Sequence, residues 1–140
     1  MKRLALAAAV ALLASPALAD RLEAVCQGSE LVNSGSATIC AARAEYRFRS
    51  DGPEVEFFLT LRAPETHCSD VVYTAWYPGE NWSRGFTRQL RPGESDNVVI
   101  GRGYGPGEAV VHISAIGIVG GCNTGVMQSW AVDVSASPVP

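Results

Sequence analysis

Apolar and polar residues alternate with a period of two along several short segments of this chain. In one segment Ala44, Tyr46 and Phe48 alternate with charged residues, and residues 55–61 show the same alternation. Such alternation places the apolar side chains on one face of a β-strand. Residues 50–53, Ser-Asp-Gly-Pro, favour a turn between the two segments. The sequence therefore predicts a β-hairpin of these two strands with one solvated face.

Turn-forming residues separate further predicted strands at regular intervals along the chain. Beyond residue 19, no long segment has apolar residues at the spacing of an amphipathic helix. We therefore predict an all-β fold, a small antiparallel two-sheet sandwich of the immunoglobulin-like type with seven to eight strands. The remaining strands are predicted at residues 21–26, 70–77, 85–90, 97–101, 108–118 and 126–134, and the glycine-rich residues 101–107 are predicted to be a flexible connection.

The first 19 residues have the pattern of a secretory signal peptide. Lys2 and Arg3 make a positive start, residues 4–14 are apolar, and residues 17–19 form a small-x-small cleavage site ending at Ala19. We predict a signal peptide at residues 1–19, a sandwich domain at residues 20–134 and a flexible tail at residues 135–140. No other apolar run approaches the roughly 20 residues that span a bilayer, so an exported product without a membrane span is expected.

Four cysteines, an even number in a chain predicted to be exported, indicate two disulfides. Three pairings of Cys26, Cys40, Cys68 and Cys122 are possible. If successive strands alternate in direction, all four cysteines fall at one end of the sandwich. This placement favours a local bridge from Cys26 to Cys40 and a long-range bridge from Cys68 to Cys122, and it leaves the other pairings open.

The charge balance of the chain excludes one class of partner. The whole sequence has a formal net charge of −3. Without the predicted signal peptide, nine arginines, no lysine and 14 acidic residues remain, for a net charge of −5. A nucleic-acid binder needs a basic face, so no nucleic-acid partner is expected.

The sequence contains no recognisable catalytic, cofactor or metal motif. The close cysteine pairs of structural zinc sites are missing, although His67 stands beside Cys68. Residues 95–97, Ser-Asp-Asn, match a β-lactamase element, but the Ser-x-x-Lys motif that this family requires is missing, as is a Gly-x-Ser-x-Gly elbow. We predict no cofactor, no metal and no catalytic residue.

Aromatic residues and arginines interleave in two predicted connections at the end of the sandwich opposite the cysteines. Flat aromatic rings beside guanidinium groups can stack on sugar rings or hold a partner peptide. Trp76 and Tyr77 are adjacent in a predicted strand, so one of them is expected in the core. The candidate binding surface for a protein or glycan partner consists of Trp82, Arg84, Arg102 and Tyr104.

Three functional hypotheses follow from these patterns. The leading one is an exported, periplasmic or secreted, binding or accessory module that acts by recognition rather than catalysis. The second is a thiol- or metal-dependent redox protein or enzyme that uses the cysteine end, with His67 or His112 as partner. The third is a protease-inhibitor-like protein that uses the loop from Gly120 to Gly125, tethered by Cys122.

One short motif resembles a known type of module. Residues 90–95, Leu-Arg-Pro-Gly-Glu-Ser, followed by Val98 resemble a turn that recurs in secreted bacterial immunoglobulin-like modules. This resemblance covers less than a tenth of the chain. It implies the same fold class, no activity and no functional residue.

Overall fold

The protein is almost entirely β-structure. The structure, a computed structural model, describes residues 19–52, 55–77 and 83–139, so the predicted signal peptide up to residue 18 lies outside the described residues. None of the described helices is long and apolar enough to cross a membrane. The described strands are β1 Asp20–Val25, β2 Ser29–Val32, β3 Ala37–Cys40, β4 Ala44–Ser50, β5 Val55–Arg62, β6 Val71–Tyr77, β7 Ser83–Phe86, β8 Ser95–Tyr104, β9 Gly107–Ile118 and β10 Ser129–Pro138.

These strands form two antiparallel sheets. The first sheet has the order β1-β10-β5-β8, and the second has the order β2-β3-β9-β6-β7, with β4 also paired to β9. Strand β3 pairs with the end of β9, where Ile39 opposes Ile116, and β4 pairs with the preceding part, where Ala44 opposes Ile113. The predicted all-β, antiparallel, two-sheet architecture is confirmed, and it is consistent with an immunoglobulin-like sandwich.

The core lies between the inner faces of the two sheets. Along β9 the inward positions 109, 111, 113 and 115 are buried, and the positions between them are partly exposed. This is the period-two burial that the sequence pattern predicts. The largest side chains that the core encloses almost completely are Trp130, Tyr73, Leu59, Leu61 and Leu90.

The predicted hairpin of residues 44–61 is wrong. Strand β4 pairs with β9 in the second sheet, whereas β5 pairs with β10 and β8 in the first sheet. The rings of Phe48 and Phe57 lie 5.0 Å apart, so the two apolar faces meet across the core. Alternation reveals which face of a strand is buried, but it carries no information about which strand lies beside it.

Several predicted boundaries also differ from the structure; the strand predicted at residues 85–90, for example, is β7, Ser83–Phe86. The strand predicted at residues 126–134 is β10, which starts at Ser129 and continues to Pro138, opposite Phe57. The predicted tail is therefore part of the first sheet up to Val139, whose N–H donates to the carbonyl of Glu56 at 2.7 Å. Strand β8 extends to Tyr104 through most of the glycine-rich segment. Polar and small residues join a sheet here because the ladder uses backbone groups only.

The sequence prediction lacks the short hairpin of β2 and β3. These two strands account for the difference between the ten described strands and the eight predicted ones. The turn between them uses Asn33, Ser34 and Gly35, all with positive φ. An Asn-Ser-Gly sequence between apolar residues is a local signal that would have located this hairpin.

Both disulfides have the pairing that strand direction favours. Cys26–Cys40 joins the residue after β1 to the end of β3, and so links the first sheet to the second, with a Cα–Cα distance of 5.4 Å. Cys68–Cys122 joins the β5–β6 and β9–β10 connections, at 5.5 Å. The assumption that successive strands alternate in direction is wrong for β3 and β4, which both pair antiparallel with β9. Cys40 is nevertheless bridged to Cys26, whose N–H donates to the carbonyl of Gln128 in the connection that also carries Cys122.

Candidate functional site

A shallow groove of about 340 Å³ lies on the second sheet. We call it the Arg–aromatic groove. Its floor and walls come from three neighbouring strands and from the segment that precedes β4. The described residues that line it are Arg43, Thr74, Trp76, Arg84, Phe86 and Ser114.

Strand register brings these side chains together. Along β6, Tyr73 and Ala75 are buried in the core, so Thr74 and Trp76 point to the outer face. Thr74 lies opposite Phe86 of β7 on one side and Ser114 of β9 on the other. Residues directly opposite each other in antiparallel strands share a face and contact one another. Trp76 is in turn opposite Arg84.

Two arginines of the groove stack on its two aromatic rings. The Cζ atom of Arg43 lies 5.1 Å from the centre of the Trp76 ring, and that of Arg84 lies 5.7 Å from the centre of the Phe86 ring. Both distances are those of cation–π contacts. Trp76 is only 7% exposed although it is on the outer face, whereas Phe86 is 60% exposed.

The arginines of the groove differ in their charge partners from most of the arginines that the structure describes. In the parts of the chain that the structure describes, Arg43 and Arg84 form no ion pair. Five other arginines of the same parts pair with Asp or Glu, namely Arg21, Arg47, Arg49, Arg62 and Arg88. The groove is thus a local positive surface on a chain whose net charge is negative.

Of the predicted binding surface, the structure places Arg84 in this groove. Trp82 lies outside the described residues, and the side chains of Arg102 and Tyr104 are not among those described. Their strand β8 contacts β7 on the core side of the sheet. There the backbone of Gly85 lies so close to the buried Val98 that an added Cβ atom would be 2.9 Å from the Val98 Cβ. Along β6 the groove covers Thr74, in the middle of the strand, and Trp76, near its end.

Sequence reasoning missed Arg43, Thr74 and Ser114. Arg43 stands between two alanines in the segment before β4, and no local pattern links it to Trp76. It reaches that ring because β4 and β6 both pair with β9. Tyr77, the other member of the Trp76–Tyr77 pair, packs against the core, as the alternation predicts for one of the two.

Among the described residues, the cysteine end offers no free thiol. All four cysteines of the chain are in disulfides. Within the described ranges, no three His, Cys, Asp or Glu residues are grouped so that they could hold a metal ion. The loop from Gly120 to Gly125 forms a compact turn, in which Gly120 and Asn123 exchange two backbone hydrogen bonds of 2.9 Å.

His67 is a half-buried imidazole at this end. Its Nε2 accepts a hydrogen bond of 3.1 Å from the backbone N–H of Ala131, so the neutral ring carries its proton on Nδ1. Burial, and secondarily the positive charge of Arg21, lower the pKa of His67, while Asp133 acts in the opposite direction. Protonation of Nε2 would remove the acceptor for Ala131.

This lowered pKa predicts a pH-dependent stability. Because the folded-state pKa lies below the unfolded value of about 6.5, the unfolded chain binds the proton first as the pH falls. The contribution of neutral His67 is therefore complete above about pH 6.5 and is lost as the pH drops toward the folded-state value. The free energy of unfolding, measured with urea between about pH 5 and pH 7.5, should depend less steeply on pH for His67→Gln than for the wild type. Equal slopes would contradict this assignment.

Comparison with known proteins assigns no family to this chain. No protein-family model matches it, and no curated protein matches it significantly. The functional conclusion accordingly comes from the chemistry of the groove itself.

Proposed function

We propose that this protein is an exported recognition module that binds a carboxylate-bearing protein segment or glycan through the Arg–aromatic groove. The observation that carries this proposal is the presence of two arginines stacked on aromatic rings, neither of them in an ion pair within the described residues. The two disulfides support export, because such bridges persist in oxidising compartments.

The stacked arginines suit the recognition of carboxylates. Stacking orients the flat guanidinium of Arg43 or Arg84 while leaving its N–H groups available for bonds in the plane, including a bidentate bond to a carboxylate. Phe86 adds exposed apolar surface for a sugar ring or an apolar side chain. The hydroxyl groups of Thr74 and Ser114 can donate to, or accept from, the same ligand.

The proposed surface extends toward β8. We propose that Trp82, two residues from Arg84 in the sequence, and Arg102 and Tyr104 of β8 add contacts to a partner larger than the groove. Trp82→Ala should weaken the binding of a long partner more than that of a short one, because only the long partner reaches beyond the groove.

A test uses arrays of acidic peptides and of uronate-containing oligosaccharides, followed by titration of the best ligand. Arg43→Ala and Arg84→Ala should each weaken binding about tenfold, since a hydrogen bond to a charged group contributes about 1.5–3 kcal/mol. The affinity should also fall as salt is added, because the groove is exposed.

Arg91→Ala is the matched control. It removes the same charge from an exposed arginine that does not line the groove, so binding should change little. If Arg91→Ala weakens binding as much as Arg84→Ala, only net charge matters and the groove is not the site. Preference for peptides or for oligosaccharides identifies the class of partner.

A further inference from the structure

A second concave site lies at the end of the sandwich that carries the Cys68–Cys122 bridge. We call it the disulfide-end cavity. It has a volume of about 460 Å³ and is formed mainly by the β5–β6 connection and the β9–β10 connection, residues 63–70 and 119–128. Small-molecule sites in proteins typically have volumes of about 300–1,000 Å³. The cavity is therefore large enough for a ligand of one or two sugar units.

The described residues that line this cavity are uncharged at neutral pH. Ser69, Thr124 and Ser129 contribute hydroxyl groups, and Gln128 contributes an amide. Val71, Val126 and Met127 contribute apolar surface. No carboxylate, lysine or arginine is among them, which disfavours an ionic ligand because its charge would lose hydration without gaining a partner.

An ion pair beside the lining residue Thr66 is neutral as a whole. Arg21 pairs with Asp133 at 3.2 Å, and its guanidinium also lies 3.4 Å from the hydroxyl oxygen of Thr66. Because this pair is self-compensated, it adds no net charge to the cavity. Burial is the main cause of the lowered pKa of His67, which is next to Thr66; Arg21 lowers it further and Asp133 acts in the opposite direction.

His67 contributes its imidazole ring to the wall of this cavity. Its Nε2 is engaged by Ala131, and its Nδ1 is buried and has no hydrogen-bond partner among the described residues. Because this nitrogen is buried, it is not accessible from the cavity. The ring therefore contributes an uncharged wall rather than a hydrogen bond to the ligand.

The walls of the cavity are held in place before any ligand binds. The Asn123 side chain is buried, accepts from the N–H of Gly125 at 3.1 Å and donates to the carbonyl of Ile118 at 3.2 Å. Gly121 has positive φ, and a Cβ atom there would overlap the carbonyl oxygen of Cys68. The disulfide and this close approach keep the two connections together, and a preformed site loses less entropy on binding.

We propose that the disulfide-end cavity binds a neutral, hydroxyl-rich ligand of the monosaccharide or disaccharide class. Hydroxyl and amide groups beside apolar side chains match the two kinds of surface on a sugar, its hydroxyl edge and its C–H face. The site is separate from the Arg–aromatic groove, and it does not depend on the function proposed for that groove.

The experiment is a titration of isotope-labelled protein with neutral sugars, followed by NMR. The probes are glucose, galactose, mannose, N-acetylglucosamine and their common disaccharides at up to about 50 mM, a range that detects millimolar affinities. Glucuronate is the charged counterpart of glucose. We expect at least one neutral sugar to shift the amide signals of Gly117, Cys122 and Ser129 but not that of Thr74 in the groove.

Two threonine variants make the test specific. Thr124→Val removes one exposed hydroxyl from the cavity and should weaken sugar binding about fivefold, the effect of losing a neutral hydrogen bond. Thr60→Val removes a hydroxyl that donates to Asn97 in the first sheet, away from the cavity, and should leave binding unchanged. The proposal is overturned if no neutral sugar shifts the cavity signals, if glucuronate binds there as tightly as glucose, or if both variants bind equally.

Discussion

Replacing Cys68 and Cys122 together by alanine should lower the free energy of unfolding by about 4 kcal/mol. The two cysteines are 54 residues apart in the sequence, so their bridge removes many conformations from the unfolded chain. Both residues are exposed, and alanine therefore removes the cross-link with little loss of buried surface. Because single domains are stable by only about 5–15 kcal/mol, the variant should unfold at much lower urea concentration.

A second measurement of what the Cys68–Cys122 bridge contributes to the free energy of unfolding serves as control. In Cys26→Ala/Cys40→Ala, the Cys68–Cys122 bridge is the one that remains, and reduction with dithiothreitol should again cost about 4 kcal/mol. The shorter Cys26–Cys40 bridge, with a separation of 14 residues, should contribute about 3 kcal/mol through the same entropy. If both experiments lower the free energy of unfolding by less than about 1 kcal/mol, the entropy of closing the long loop does not explain the effect of the bridge.

Trp130→Ala should destabilise the protein by about 4 kcal/mol. Trp130 is 2% exposed, is the largest of the fully buried side chains, and meets the Tyr73 ring edge-on with 6.1 Å between ring centres. Alanine would leave a cavity between the sheets that this packed core cannot fill. Trp130→Phe should cost less, because it keeps part of the ring volume and removes an indole N–H that is buried without a partner among the described residues.

Phe86→Ala is the contrasting variant for this experiment. Phe86 is 60% exposed, so its loss should change the free energy of unfolding by less than about 1 kcal/mol. The same variant should weaken partner binding, because it removes the ring on which Arg84 stacks. Chemical unfolding of the three variants provides the measurement. A cost for Trp130→Ala no larger than that for Phe86→Ala would contradict the assignment of Trp130 to the core.

Much of the fold could be predicted from alternation alone. The buried positions of β4, β5, β6 and β9 follow the period of two, because alternation is a property of each strand by itself. The pairing of the cysteines also follows from strand direction, although β3 and β4 do not alternate in direction as the prediction assumes. The predicted strand boundaries are wrong where residues with no apolar pattern, such as Ser135–Pro138, pair through their backbone groups.

The candidate sites could be predicted only in part. Arg84 was identified because arginines and aromatic residues interleave near it in the sequence. Arg43 was not, because its contact with Trp76 requires β4 and β6 to flank the same strand. The disulfide-end cavity likewise could not be predicted from the sequence, because it forms where two connections that are far apart in the chain meet.

The sequence by itself therefore determined the all-β class, the inward face of most strands and the capacity for two disulfides. These features depend only on side-chain type and on spacing within a short segment, so the sequence of each segment is enough to predict them. The tertiary structure decided which strands are neighbours, that β4 and β5 face each other across the core, and that Arg43 reaches Trp76. Such contacts join residues far apart in the chain, and their geometry depends on the packing of the whole domain rather than on any local pattern.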